Sequence, residues 1–236
     1  MKRFLVAIVA VMMLLSLMAC NSAPAGSSGA PAAAGNKVLF VGRDSGGDGI
    51  TAKRLKQEHG LEVTVVADKE LTAEKANGMA LIYVSESVNS NKIKDIFVNI
   101  PVPVVYAEPQ STSDTGMTDV EAYGSLTGGN AAKTIEIKDG SSPLAAGLQG
   151  KIDVYKDNGK MGFAIPGKEA IVVATVPGED QKATIFAYDK GVKNVKGNTV
   201  AAREVYFYMF EGEEINQTDD GWKLFDAAVQ WALGKK

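Results

Sequence analysis

A chain of 236 residues, 45% hydrophobic and 22% charged, suffices for one large domain or two small ones and excludes disorder throughout. With 25 Lys and Arg against 28 Asp and Glu, the net charge of −3 leaves no basic surplus for a nucleic-acid partner. One cysteine and one histidine exclude an intrachain disulfide, a Cys-rich zinc site and a His-rich metal centre, and they leave little material for thiol or imidazole catalysis.

Residues 1–19 carry the parts of a secretory signal. Lys2 and Arg3 form a positive start, and Phe4 to Ala19 is an apolar stretch broken only by Ser16. That stretch is shorter than the ~20 residues of a spanning helix. It ends Leu17-Met18-Ala19-Cys20, which resembles the bacterial lipobox and implies that Cys20 is lipidated and becomes the first mature residue. Cleavage would remove Lys2 and Arg3, leaving a mature net charge of −5. Two acyl chains anchor a protein without a basic patch, so the expected partner is a membrane and the expected location the outside of a bacterial cell envelope. Residues 20–35 supply the lipidated Cys and an uncharged Ala/Gly/Ser/Pro tether too poor in large apolar groups to fold. Residues 36–236 show no second linker and no repeat, and are expected to form one domain.

Lys37 to Gly42 reads as a strand buried on both faces, followed by the loop RDSGGDG and a helix that places Ile50, Ala52 and Leu55 on one face and stops at Gly60. Strands are expected at Leu61 to Ala67, Ala80 to Ser85 and Pro103 to Ala107, with helical pieces at Leu71 to Gly78 and Asn91 to Val98. Strands alternating with helices predict right-handed crossovers and a parallel, doubly wound sheet. The second half predicts antiparallel hairpins from 133–138, 152–155, 170–176, 183–188 and 204–209. A closing helix is capped by Thr218, with Asp219 and Asp220 in its first turn and Trp222, Phe225, Val229 and Ala232 on its core face.

The run KVLFVG, EVTVVA, ALIYVS, PVVYAEP is similar to the first four strands of the class I glutamine amidotransferase-like fold. The phrases SSPLAAGL (141–148), ATIFAYDKG, AREVYFYMF and GWKLFDAAVQWALG (221–234) resemble its ThuA-like, trehalose-utilisation-like branch. The resemblance implies a flavodoxin-like parallel sheet with helices on both faces and antiparallel strands added in the second half. It also implies an association with saccharides. The family's nucleophilic Cys would sit after the fourth strand, where this chain has Glu108, and the only histidine, His59, closes the first helix. Glutamine hydrolysis is therefore not expected, and the domain reads as a degenerate binding or accessory module.

Ligands of such sheets bind at the carboxyl ends of the strands, where the strand order reverses. The residues expected there are Arg43, Asp44, Ser45 and Asp48 after the first strand, Ser85 and Glu86 after the third, and Glu108 and Asp114 after the fourth. Carboxylates and hydroxyls beside Tyr106 or Tyr123 suit a saccharide, and the same oxygens suit Ca²⁺ or Mg²⁺, although no cofactor is required. The alternative is a carboxylate- or metal-dependent hydrolase of a saccharide or cell-surface compound, with two carboxyls as acid and base. Glu108, between an apolar run and Pro109, is expected to be partly desolvated, with a raised pKa unless Arg43 or a backbone donor pairs with it.

Overall fold

The strand Lys37–Val41 (β1) buries four of its five residues, because apolar side chains on both faces of a parallel strand need a layer on each side. The computed structural model to which it belongs describes residues 35–235, so the expected signal, Cys20 and nearly all of the tether lie outside the described residues. Glu62–Val66 (β2) and Leu81–Val84 (β3) pair with β1 in parallel, and Val104–Tyr106 (β4) pairs with β3. Further along the chain come Thr118–Leu126 (β5), Thr134–Ile137 (β6), Gly150–Asp153 (β7) and Met161–Pro166 (β8). Ile171–Val176 (β9), Glu179–Tyr188 (β10) and Glu204–Phe207 (β11) complete the set. The order is β2-β1-β3-β4-β11-β10-β9-β6-β7, with β8 branching from β10 and β5 pairing with β8.

The Glu204–Phe207 strand differs from the antiparallel hairpin expected of it. It is antiparallel to β10 but lies between β10 and β4, and so becomes the fifth parallel strand. Strand β5 was not legible because TDVEAYGSL buries only Thr118 and carries no clean apolar alternation, and β8 lies in a stretch for which no strand was expected. The helical pieces shrink to a 3-10 turn at Ala73–Ala76 and one turn of helix at Ser90–Ile93 (α2). A short helix, Pro109–Thr115 (α3), begins where only a tight turn was expected.

The first helix, Gly46–His59 (α1), ends as expected at a left-handed Gly60 whose N–H bonds the Leu55 carbonyl. Its buried stripe is Asp48, Thr51, Ala52 and Leu55, and Ile50 faces solvent. The spacing 48, 51, 52, 55 is one helical face, and Ile50 lies off it. Ala52 and Leu55 pack into the same core cluster as Leu224, Phe225, Ala228 and Val229 of the last helix, Asp219–Ala232 (α4). The opposite sheet face is filled by a second cluster that includes Ile93, Phe97, Val102 and Met117. Thr218 caps α4 by accepting from the Gly221 N–H at 3.0 Å. No helix among the described residues is long and apolar enough to cross a membrane.

α1 and α4 are tied by one carboxylate. Asp226 accepts from Arg54 Nε at 2.8 Å and Nη2 at 2.5 Å, and lies 2.9 Å from His59 Nε2, while the Arg54 guanidinium sits 4.8 Å from the centre of the Trp222 ring. Burial raises the Asp226 pKa, but the His59 and Arg54 bonds outweigh it and hold the carboxyl below its ordinary range. The lone histidine is thus a strut between helices. A folded pKa below the unfolded one gives stability that is present above the unfolded value and lost as pH falls. Asp226→Ala is expected to lower unfolding free energy by roughly 2–3 kcal/mol at pH 7, and by less near pH 3, read from urea midpoints at the two pH values.

Candidate functional site

The strand order reverses between β1 and β3, and there the chain places Asp48. From the first turn of α1 its carboxylate accepts from the Arg43 N–H at 2.7 Å, from the Ser87 hydroxyl at 2.6 Å and from the Ser85 hydroxyl. Asp48 is almost fully buried, and a side chain at Gly42 would meet its Oδ2 at 2.6 Å, so the close approach requires a glycine. The Ser85 oxygen in turn accepts from the Ser87 N–H, at 3.0 Å.

Three glutamates stand around this crosslink with pKa values raised to about 7. Glu86 is raised by burial and by the Glu211 carboxylate, partly offset by the Glu211 N–H that it accepts at 3.1 Å and by Lys160. Glu108 caps α3 by accepting from the Gln110 N–H at 3.0 Å, yet burial and the charges of Glu86 and Asp114 prevail. Glu214 is raised by burial and by Asp48 and Glu211, against the Gly212 N–H at 2.8 Å. Its carboxylate lies so close to the start of α1 that a side chain at Gly47 would overlap it. The fully buried Tyr206 hydroxyl has no hydrogen-bond partner among the described residues and has Glu108 and Glu86 as charged neighbours.

The structure brings together Asp48, Ser85, Glu86 and Glu108 among the residues expected at the sheet end. Arg43 reaches the rim but pairs with Glu211 at 2.8 Å, not with Glu108; the backbone donor of Gln110 takes that role. Asp44 and Ser45 are exposed, and Ser45 makes no side-chain cap to α1. Asp114 lies on α3, where burial raises its pKa and Lys196 and Lys94 lower it. Tyr106 is fully buried and offers no ring to a ligand, whereas Tyr123 is half-buried near Glu108 and Asp114. No group of three or more metal-ligating side chains is placed to hold a metal among the described residues.

Glu211 and Glu214 were not foreseen. Their signal was the acidic loop EGEE after REVYFYMF, and it becomes meaningful only once β11 is known to run parallel to β4 and to deliver its carboxyl end to the same edge. A cleft of about 240 Å³ opens beside the crosslink, lined by Gly42, Arg43, Asp68, Lys69 and Ser87. A larger one, about 690 Å³, lies in the antiparallel half.

Carboxyls whose folded pKa is raised hold protons in the folded state that the unfolded chain releases. Their full contribution is present below the unfolded value near 4.5 and is lost as pH rises through about 7. Stability should fall between pH 5 and 8, a window separate from that of Asp226. Glu108→Gln, which keeps the acceptor for Gln110, should gain roughly 1–3 kcal/mol at pH 8 and almost nothing at pH 5 in urea unfolding.

No family model and no curated protein matches the sequence. Among solved structures, a Thermoplasma acidophilum protein described as one of the chains of GMP synthase aligns at 10% identity and a TM-score of 0.56, covering 85% of this chain and 96% of its own. A glutamine amidotransferase from Thermotoga maritima aligns at 11% identity and a TM-score of 0.47, covering 84% of each chain. The mixed sheet, its parallel core and its flanking helices have the class I glutamine amidotransferase-like, flavodoxin-type α/β fold.

Proposed function

We propose that this chain is a lipid-anchored, extracytoplasmic protein of the bacterial envelope whose amidotransferase-like domain no longer catalyses and instead binds a saccharide at the carboxyl edge of its parallel sheet. The observation that carries this reading is the turn after β4. A nucleophile elbow is a sharp, strained strand-to-helix turn. Glu108 occupies the corresponding place with an ordinary extended backbone (φ −77°, ψ 111°), and its carboxylate caps α3. The one histidine is held by Asp226 between α1 and α4. Neither the thiol nor the base of a glutamine-hydrolysing pair is present at the sheet end.

What such an edge can do is accept and donate hydrogen bonds. Arg43 and Lys69 at the small cleft donate, and Ser87 and Asp68 accept, which suits the hydroxyls of one sugar ring. The ThuA-like branch is supported by two resembling phrases that pack on each other: Leu144 and Ala145 of SSPLAAGL join the core cluster of α4. The tether and Cys20 account for display at a membrane.

Glu108→Gln should fold normally and lose affinity for a bound glycan by at least about 1.4 kcal/mol, a factor of ten, measured by calorimetry against a glycan panel. Loss of folding with affinity intact would make Glu108 a structural partner of the turn only. Radiolabelled palmitate should enter the wild type and not Cys20→Ser, and equal labelling would remove the anchor. A second reading is favoured by the charge of Glu86 beside Glu108, both raised to about 7: a hydrolase using them as acid and base. Glycan turnover abolished in both Glu86→Gln and Glu108→Gln would replace the binding reading with that one.

A further inference from the structure

The sheet forks at β10. Ala183 is paired with Thr175 of β9 on one path and with Ala164 of β8 on the other, and β10 carries register shifts at this point. One wing runs on through β9, β6 and β7, the other through β8 and β5. The cleft of about 690 Å³ lies between them, lined by Leu126 from β5, Lys133 and Thr134 at β6, Lys151 on β7, and Glu179 and Lys182 on β10. It is a product of the topology, not of a single loop.

Its charge is opposite to that of the protein. Three lysines, one on β7, one on β10 and one just before β6, share the lining with one glutamate, on a chain whose net charge is −3. Lys133 is held by Asp153 at 2.7 Å, and Lys182 by Glu179 at 2.5 Å while it lies 4.9 Å from the centre of the Phe163 ring. These contacts fix two ammonium groups in place, and Lys151 stands across the β6–β7 pair from Glu136. Lys151 has no carboxylate within ion-pair distance among the described residues. The amides of Asn130 and Asn158 lie on the same walls, and Val176 and Pro177 provide an apolar surface.

We infer that this fork cleft is a second binding site, distinct from the carboxyl edge of the parallel sheet, and that it takes an acidic oligosaccharide. A free ammonium group suits a carboxylate or sulfate of the ligand, the amides suit its hydroxyls, and the apolar wall suits the face of a ring. A nucleic acid would find no aromatic platform among the lining residues. The long-range attraction draws an anion to a basic recess of an acidic molecule.

The test uses the mature domain with three probes: oligogalacturonate, a neutral malto-oligosaccharide and a poly-glutamate peptide. The wild type should bind oligogalacturonate in preference to both others, and binding should weaken in about 0.5 M NaCl, where screening shortens to a few ångströms. Lys151→Glu should lower affinity about tenfold or more, and Lys151→Glu with Lys182→Glu further. Lys75→Glu, an equal charge change at an exposed position in the parallel half, should leave it within about twofold. Absent binding of oligogalacturonate, equal losses in Lys151→Glu and Lys75→Glu, or poly-glutamate bound as well as oligogalacturonate would each overturn the proposal.

Discussion

The carboxylate of Asp48 joins three parts of the chain that are otherwise separate in sequence. It accepts from the backbone after β1, it belongs to the first turn of α1, and it holds two hydroxyls after β3. The loops that leave adjacent parallel strands diverge at a reversal of order, and the Arg43 N–H after β1 lies beyond the ladder. A single buried acceptor satisfies it and ties the loop after β1 to the one after β3. Everything at the carboxyl edge is arranged around it. Gly42 has no side chain because Asp48 lies against it, and Glu214 gains a raised pKa partly from its charge.

The same edge shows how one side chain sets the character of a sheet end. The fold delivers a strand-to-helix turn over the sheet, and the side chain placed there decides the chemistry. With a carboxylate in an unstrained cap, the turn stabilises α3. Around it the chain concentrates acidic groups and supplies few cations: Arg43 is committed to Glu211 at the exposed rim, and Lys160 acts on Glu86 only from a distance. Desolvation then drives Glu86, Glu108 and Glu214 toward the neutral form, which makes them hydrogen-bond donors as well as acceptors near pH 7. A group able to do both is suited to a ligand rich in hydroxyls.

The antiparallel half has a different logic. Ion pairs such as Lys133–Asp153 and Lys182–Glu179 lie on exposed strands, where they add little stability. Their effect is to hold long side chains in position on the walls of the fork. Acidic and basic clusters are thereby segregated to the two halves of one sheet.

The sequence by itself determined the first four strands of the parallel half. Continuous apolar runs such as KVLFV and LIYV, spaced by helix-length segments, have one low-energy arrangement, since each must be covered on both faces. The cap at Thr218, the stop at Gly60 and the burial of Glu108 rest on local patterns and were equally legible. Tertiary structure alone decided which carboxyls share a site. Asp44 and Asp48 are four residues apart and look alike in sequence, but the helical stripe turns one into the sheet end and leaves the other in water. Glu211 and Glu214 joined them only because β11 inserts beside β4, a pairing set by long-range contacts and not by the residues of REVYFYMF. His59 likewise found Asp226 across 167 positions of chain. Periodicity records which way a side chain points relative to its own element, and a site depends on which elements meet.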